Sequence, residues 1–206
     1  MAERMDGGKA PQTESTVTSA DWYGEDISGQ SHARVLFVDL DLTEAENDGA
    51  VFEECTFRRA RFNASVHRNA AFVNCTFQNC NFYDACFTGC KFVGSRFDRC
   101  TFDVMKVEGG NWSFVSLPGA DLHSASFTDV RMREADLTGV RCQGGSLRGV
   151  DLFGASLHRA DLSRCDLRGS DLGGIDPTTV ELHGAIITVE QTVAIAQGLG
   201  LDVRAE

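Results

Sequence analysis

The chain has 206 residues, 42% of them hydrophobic and 24% charged, and carries a net charge of −11. So acidic a balance repels nucleic acid and favours partners with basic surfaces, which disfavours direct DNA binding. No apolar run approaches the ~18 residues of a membrane span and the first residues lack the apolar centre of a signal peptide, so a cytoplasmic, single-domain protein is expected.

Residues 1–20, MAERMDGGKAPQTESTVTSA, are polar, contain Gly and Pro and show no period, which predicts a disordered tail. From Asp21 a phase of five can be followed through Trp22, Ile27 and His32, with Glu25 and Gln30 at places that later hold small residues. Residues 21–34 therefore read as a degenerate first coil or cap of a repeat domain spanning 21–187; a solenoid needs atypical ends.

From Val35 to Val189 a large apolar residue returns every fifth position without insertion or deletion. Written in fives from Ala50 the chain runs AVFEE CTFRR ARFNA SVHRN AAFVN CTFQN CNFYD, and later ADLHS, ADLTG, VDLFG, ADLSR, CDLRG. The third, central place holds Phe at twelve positions from Phe37 to Phe127, out of fourteen Phe in the chain, so this column has captured almost all of them. It holds Leu through most of the second half. Two residues earlier stands a column of Ala, Cys and Ser, and fourteen of the 21 Gly occupy the fifth place.

Five matches neither the 3.6 of a helix nor the 2.0 of a strand. If each five is a short extended segment followed by a turn, the small and central residues, two apart, both face inward and their neighbours face out. Gly at the fifth place supplies corners that need positive φ.

Within this pattern some fives deviate. AENDG at 45–49 puts Asn47 at a central place, so one side of an early coil is expected to be polar or looped out. His67, also central, reads as a core histidine with its ring nitrogens satisfied. From Phe72 to Phe102 the core is nearly pure Phe. The run breaks at MKVEGGNWSFVSLPG, where Met105, Gly110 and Val115 replace small residues and Trp112 replaces Phe. A larger side chain in a fixed cylinder must bend or widen it. Leu117-Pro118-Gly119 then suits a type II turn, so a kink or a changed corner is expected across 105–119.

Ile175-Asp176-Pro177 ends the regularity, since Pro177 lacks a ladder donor. Residues 188–206 change period: Thr188 with Gln191 fits a capping box, and Val189, Val193, Ile195, Ala196 and Leu199 follow helical spacing, with Gly198 and Gly200 as stops. A helix of about ten residues is marginal alone and must bury its apolar face, on the last coil or on a copy of itself.

Chemistry is sparse. Of the 8 Cys, Cys55, Cys75, Cys80, Cys90, Cys100 and Cys165 sit in the small inward column, Cys142 is central and only Cys86 faces out. With no CxxC, they read as compact filler and not as a zinc or redox site. His32, His67, His123, His158 and His183 show no triad or HExxH spacing, and a cylinder filled by its own side chains offers no concave pocket. No enzyme activity, cofactor or metal is expected.

The outward charges differ by side. Counting every twentieth residue as one side, those beginning at Val35, Leu40, Ala45 and Ala50 carry net +1, −4, −1 and −2. The acidic one holds Asp41, Glu44, Asp84, Asp103, Asp121, Asp161 and Glu181 against Arg61, Arg141 and Arg164.

The pattern (A/C/S)-(D/N/T)-(L/F)-X-X resembles the pentapeptide-repeat family over about three quarters of the chain, and that resemblance supplies the number of sides: a right-handed quadrilateral β-helix, an all-β solenoid. Within the family the chain resembles the MfpA group of fluoroquinolone-resistance proteins and, more distantly, the Qnr group. The resemblance lies in VFEECTF at 51–57, SVHRNAAFVNCTF at 65–77 and DLRGSDLGGIDPTTVELHGAIITVEQTVAIAQGLGL at 166–201. The longer N-terminal tail and the stretch from Met105 to Gly119 depart from it.

It implies a C-terminal helix that pairs two subunits, with Val189, Val193, Ile195, Leu199 and Leu201 as dimer contacts. It further implies a surface that imitates duplex DNA to engage DNA gyrase, inhibiting supercoiling or shielding the enzyme from quinolone-type poisons. The acidic side then becomes the enzyme-facing surface. Matched charge density is out of reach: about eight coils give ~37 Å, over which B-DNA carries ~22 charges. One side supplies a net of four, so imitation has to rest on rod shape and a few placed carboxylates. The alternative is a repeat scaffold for another basic protein.

Overall fold

The computed structural model describes residues 10–204, a parallel β-solenoid closed at one end by a short helix. Each coil takes twenty residues and each partner lies twenty residues on, as in Phe37↔Phe57, Phe57↔Phe77 and Phe77↔Phe97. On the Val35 side the strands Ser15–Thr18, Val35–Val38, Thr56–Arg58, Thr76–Gln78 and Arg96–Asp98 stack in that order. On the Ala45 side six strands run from Glu46–Asp48 to Ser146–Arg148, and on the Ala50 side Ser31–Ala33, Val51–Glu53 and Ala71–Val73. The Leu40 side is joined only by single bridges, Asp21↔Asp41↔Arg61↔Asn81↔Thr101 and Asp121↔Arg141↔Asp161↔Glu181. Four ladders make the coil a quadrilateral, and the right-handed β-helix expected from the repeat is the fold.

In and out are sorted as the count in fives requires. Phe52, Phe57, Phe62, Phe72, Phe77 and Phe92 are fully buried, and like rings stack 4.8–4.9 Å apart along each side, for example Phe52 on Phe72 at 4.9 Å and Phe72 on Phe92 at 4.8 Å. That spacing equals the strand separation, so one ladder sets both the hydrogen bonds and the ring contacts. The small column does more than fill. The Sγ of Cys75, Cys80 and Cys90 donates to the carbonyls of Phe52, Phe57 and His67 in the coil before, and Ser95 Oγ donates to Phe72 in the same way at 2.7 Å.

Every fifth-place residue from Ser19 to Gly169 except Ser124 has positive φ. Eighteen residues other than Gly adopt it, Val104 and Phe114 among them, so the corner geometry is imposed by the coil and does not wait for Gly.

One expectation is corrected at the N-terminus, and of the two forms expected at Asn47 the polar one is met. The disordered tail gives way at Ser15: Ser15–Thr18 pairs in register with Val35–Val38, and Glu14 N–H reaches Arg34 O at 2.7 Å. Val17 is the central residue of this five and packs on the core, a signal masked by its Ser and Thr neighbours. The first part of the expected tail, residues 1–9, lies outside the described residues. Asn47 is not looped out but buried in the strand Glu46–Asp48, opposite His67.

The disturbance expected across 105–119 is present in another form. The ladders pass through it on the Val35, Ala45 and Ala50 sides, at Arg96↔Ser116, Lys106↔Ser126 and Lys91↔Asn111↔Arg131. Trp112 is fully buried, 4.1 Å from Phe92 and parallel to Phe97 at 5.9 Å. On the opposite, Leu40 side the rung fails: Thr101 and Asp121 form no bridge, and the N–H groups of Arg99, Phe102 and Asp121 have no partner among the described residues. One coil earlier the equivalent N–H groups of Asn79, Phe82 and Thr101 are all bonded. A cavity of about 450 Å³ opens between these lips, over Phe97, Phe102, Cys100 and Ala120.

The helix α1 (Gln191–Gly198) closes the far end. Gln191 is buried and its Nε2 donates to Leu167 O at 2.8 Å and Ser170 O at 2.7 Å, two carbonyls with no further coil to bond. The expected capping box forms by half: Thr188 N–H donates to Gln191 Oε1 at 2.8 Å, while the N-cap is Glu190 and no side chain caps the helix. The stop is Gly200, φ 83°, whose N–H bonds Gln197 O while Leu201 N–H bonds Ala196 O.

Candidate partner-binding surface

The seven carboxylates singled out by charge do fall on one side of the rod. Asp41, Asp121, Asp161 and Glu181 occupy the rungs of the Leu40 ladder, and Glu44, Asp84 and Asp103 project from its corners and turns. Asp21 lies directly below Asp41 on the same ladder and extends the acidic column toward the N-terminus, where the count from Val35 had not reached. Tyr23 and Tyr83, both more than half exposed, stand on this side too and are invisible to a count of charges.

The carboxylates do not form an uninterrupted stripe. Arg61 pairs with Asp41 at 2.5 Å, and Arg141 with Asp121 at 2.9 Å, while His123 Nδ1 also meets Asp121 at 2.8 Å. Lys106 reaches over from the Ala45 side to Asp84 at 3.2 Å. Tyr23 OH donates to Glu44 at 3.0 Å, and Asp161 accepts from Gln143 Nε2 and Ser163 Oγ, both at 2.6 Å. Glu181 accepts its own turn's His183 N–H at 3.0 Å. Among the described residues Asp103 alone of the seven has no side-chain hydrogen bond or ion pair.

These contacts hold three of the carboxylates, Asp41, Asp121 and Asp161, in the ionised form. Partial burial pushes Asp41 up, but hydrogen bonds from Arg61 and Thr43 outweigh it and hold the group below the ordinary aspartate range. Asp121 is likewise opposed by burial and held low by His123 and Arg141, and Asp161 is lowered first by Ser163. Each pair is solvent-exposed, so it fixes geometry more than it adds stability.

The thiols differ: a hydrogen bond with Cys75 lowers Cys55 to about 7, whereas others are raised. Burial pushes Cys90 up to about 11, and hydrogen bonds to Cys165 and Cys80 push Cys142 and Cys100 up as well, which leaves them protonated. No group of His, Cys, Asp and Glu able to hold a metal occurs among the described residues.

The proposed dimer contacts divide. Val189 is 80% exposed, and Val193, Leu199 and Leu201 are exposed, whereas Ile195 packs inward on the last coil. The helix therefore turns Ala194 and Ile195 to the core and leaves Val193 in solvent, with Val189 before it and Leu199 and Leu201 after it also exposed.

A family model of pentapeptide repeats matches residues 107–141, 131–169 and 160–188, with eight copies. Residues 107–188 of this chain are pentapeptide repeats. A second model, of the SV2A/B/C luminal domain, matches residues 19–102, where the pentapeptide column is mostly Phe. No curated protein matches the sequence. Among solved structures, trypsin-treated QnrB1, a plasmid-mediated fluoroquinolone resistance protein, is similar at a TM-score of 0.83 and 21% identity, over 94% of this chain and 97% of that one. Full-length QnrB1 gives 0.68 and 20%, over 92% and 99%. HetL, a pentapeptide-repeat protein involved in heterocyst differentiation regulation in the cyanobacterium Nostoc, gives 0.61 and 22%, over 87% and 88%. At these identities the likeness is one of fold. The pentapeptide rod is thus of the QnrB1 form over nearly its whole length.

Proposed function

We propose that this protein binds DNA gyrase as a DNA mimic, modulates supercoiling and protects the enzyme from quinolone-type poisons, without catalysing a reaction. The observation that carries the reading is the Leu40 side: a column of carboxylates, interrupted by Arg61 and Arg141 and by the gap between Thr101 and Asp121, on a rod whose fold is that of a fluoroquinolone resistance protein. The carboxylates are too few and too often paired to match DNA charge for charge. Recognition then rests on the rod's cross-section, with Asp103 and the Asp121 pair as placed anions and Tyr83 as an apolar contact beside them. The protein acts in the cytoplasm; among the described residues no helix is long and apolar enough to cross a membrane.

Supercoiling by purified gyrase tests the proposal. The protein inhibits it, and Asp103→Lys with Asp121→Lys weakens inhibition at least about tenfold while the circular dichroism stays unchanged. Inhibition also weakens from 50 to 200 mM salt, because exposed charges are screened. No effect of the native protein on supercoiling or on quinolone-induced cleavage overturns the reading. Full inhibition by the double variant discards this side as the contact.

We further propose a homodimer through α1, with Val189, Val193, Leu199 and Leu201 meeting their copies. Light scattering shows a dimer that Val193→Asp with Leu199→Asp converts to a monomer; an unchanged mass for that variant places the contact elsewhere.

A further inference from the structure

Between the coil of residues 95–114 and the next, the Leu40 side loses its main-chain ladder. Below the gap Phe82 and Asp84 N–H bond Thr101 and Asp103 O at 2.9 Å, and above it Leu122 N–H bonds Arg141 O. Within the gap the corresponding N–H groups of Arg99, Phe102 and Asp121 make no hydrogen bond among the described residues. The opening is pinned at one end by Phe97 N–H to Ser116 O at 2.9 Å. At the other end the main-chain bond is replaced by a side chain, Val104 N–H to Ser124 Oγ at 3.1 Å. Ser124 is also the one fifth-place residue between Ser19 and Gly169 without positive φ.

The cause lies across the core. Trp112 is the widest side chain in the cylinder and projects from the Ala50 side, opposite the gap, in the coil that forms its lower lip. Phe102 has shifted along the Leu40 column, 5.6 Å from Phe82 where Phe62 and Phe82 are 4.8 Å apart. The buried Nε1 of Trp112 has no hydrogen-bond partner, so the indole is held by packing alone. A ligand site is a poor description of the gap. Of its three lining cations, Arg99 and Arg141 are paired with Asp98 and Asp121 at 3.2 and 2.9 Å and only Arg96 has no ion pair among the described residues, while Asp103 adds an unpaired carboxylate to the same lining.

We propose that this gap is a flexure built into the rod: the two stacks, below Val104 and above Pro118, rock about the intact Ala50 ladder and open and close on the acidic side. Trp112 is the wedge that holds the gap open, and Ser124 is the latch. The flexure needs no partner. It gives the outer face a variable curvature at the level of Asp103 and Asp121, while elsewhere on the Leu40 side each coil is bridged to the next, from Asp21 to Thr101 and from Asp121 to Glu181.

Electron spin resonance distance measurements test this, with spin labels carried on genetically encoded ketone residues so that the native thiols are left alone. Positions 83 and 143 lie three coils apart across the gap; positions 23 and 83 lie three coils apart with unbroken rungs between them. The 83–143 distance distribution is at least about twice as broad as the 23–83 distribution. Trp112→Phe, which restores the ring size of the column, narrows it to the control width. Ser124→Gly, which removes the latch and accepts positive φ, leaves it as broad or broader. Equal widths for the two native pairs overturn the flexure, and a broad distribution that Trp112→Phe leaves unchanged overturns the wedge. If Trp112→Phe fails to fold, the native pairs and the Ser124→Gly protein still decide the first point.

Discussion

His67 shows how a polar residue is kept in a dry cylinder. Ala50 N–H donates to Asn47 Oδ1 at 3.0 Å and Asn47 Nδ2 donates to His67 Nδ1 at 3.0 Å. His67 Nε2–H then donates to Ser65 Oγ at 3.0 Å, which passes its own proton to Phe62 O at 2.7 Å. One tautomer satisfies every link, and burial holds the imidazole neutral with a pKa of about 3. His67→Phe continues the ring stack on Phe87 but strands the Asn47 amide, at a cost of about 1–3 kcal/mol. Adding Asn47→Leu recovers most of it, which denaturant titration of both variants checks. The sign of the pH effect follows. Between 6.5 and about 3 the unfolded chain binds a proton that the folded chain refuses, so stability falls by ~1.4 kcal/mol per unit as pH drops through that window. Above 6.5 the histidine contributes no slope, and the double variant loses this part of the acid sensitivity. The satisfied histidine was legible in the sequence; its partner was not, because Asn47 was weighed alone although it stands twenty residues from His67 in the same column. The corners were half legible: Gly marked their place, but the coil also forces Val104 to φ 50°, a strained setting for a β-branched residue. Val104→Gly should therefore stabilise by about 1 kcal/mol, net of the entropy Gly adds to the unfolded chain, read as a rise in melting temperature.

At the scale of elements, the helix and the first strand explain where the period of five stops being informative. Helical spacing found α1 but placed its start too early, since the capping pair turned out to face the last coil: Gln191 spends its amide on Leu167 and Ser170 carbonyls. Gln191→Leu keeps the bulk, leaves the Ser170 carbonyl unpaired and leaves Leu167 O with Ser170 N–H alone, so it should cost about 1–3 kcal/mol and detach the helix, seen as faster amide exchange in residues 191–201. The fit on the other face is as close. A Cβ on Gly198 would lie 2.7 Å from Pro177 Cδ and 2.8 Å from Ile175 O, so Gly198 is needed for contact and not as the helix stop it was read to be. Ser15–Thr18 went unread because composition argues about averages, and one central Val17 suffices once the coil above offers a ladder.

For the whole molecule, the sequence carried the architecture because one repeating constraint, two inward residues in every five, governs nearly all of it. The surface was less legible. Charge counting found the acidic side and the arginines that share it, but not the pairing of Arg61 with Asp41 and of Arg141 with Asp121, nor Lys106 and Tyr23, since those contacts join neighbouring coils and adjacent sides. The regular ladder has one more consequence. Because every residue stacks on its counterpart twenty positions away, rod length is quantised: excising residues 81–100 joins Cys80 to Thr101, sets Arg61 opposite Thr101, and leaves each remaining column with matched members. Such a shortened protein should fold, with its long axis reduced by one strand spacing, ~4.8 Å, whereas removal of nineteen or twenty-one residues would turn every later side chain to the wrong face. Small-angle scattering and thermal melting of the three deletions would reveal a chain that tolerates gain or loss only in whole units.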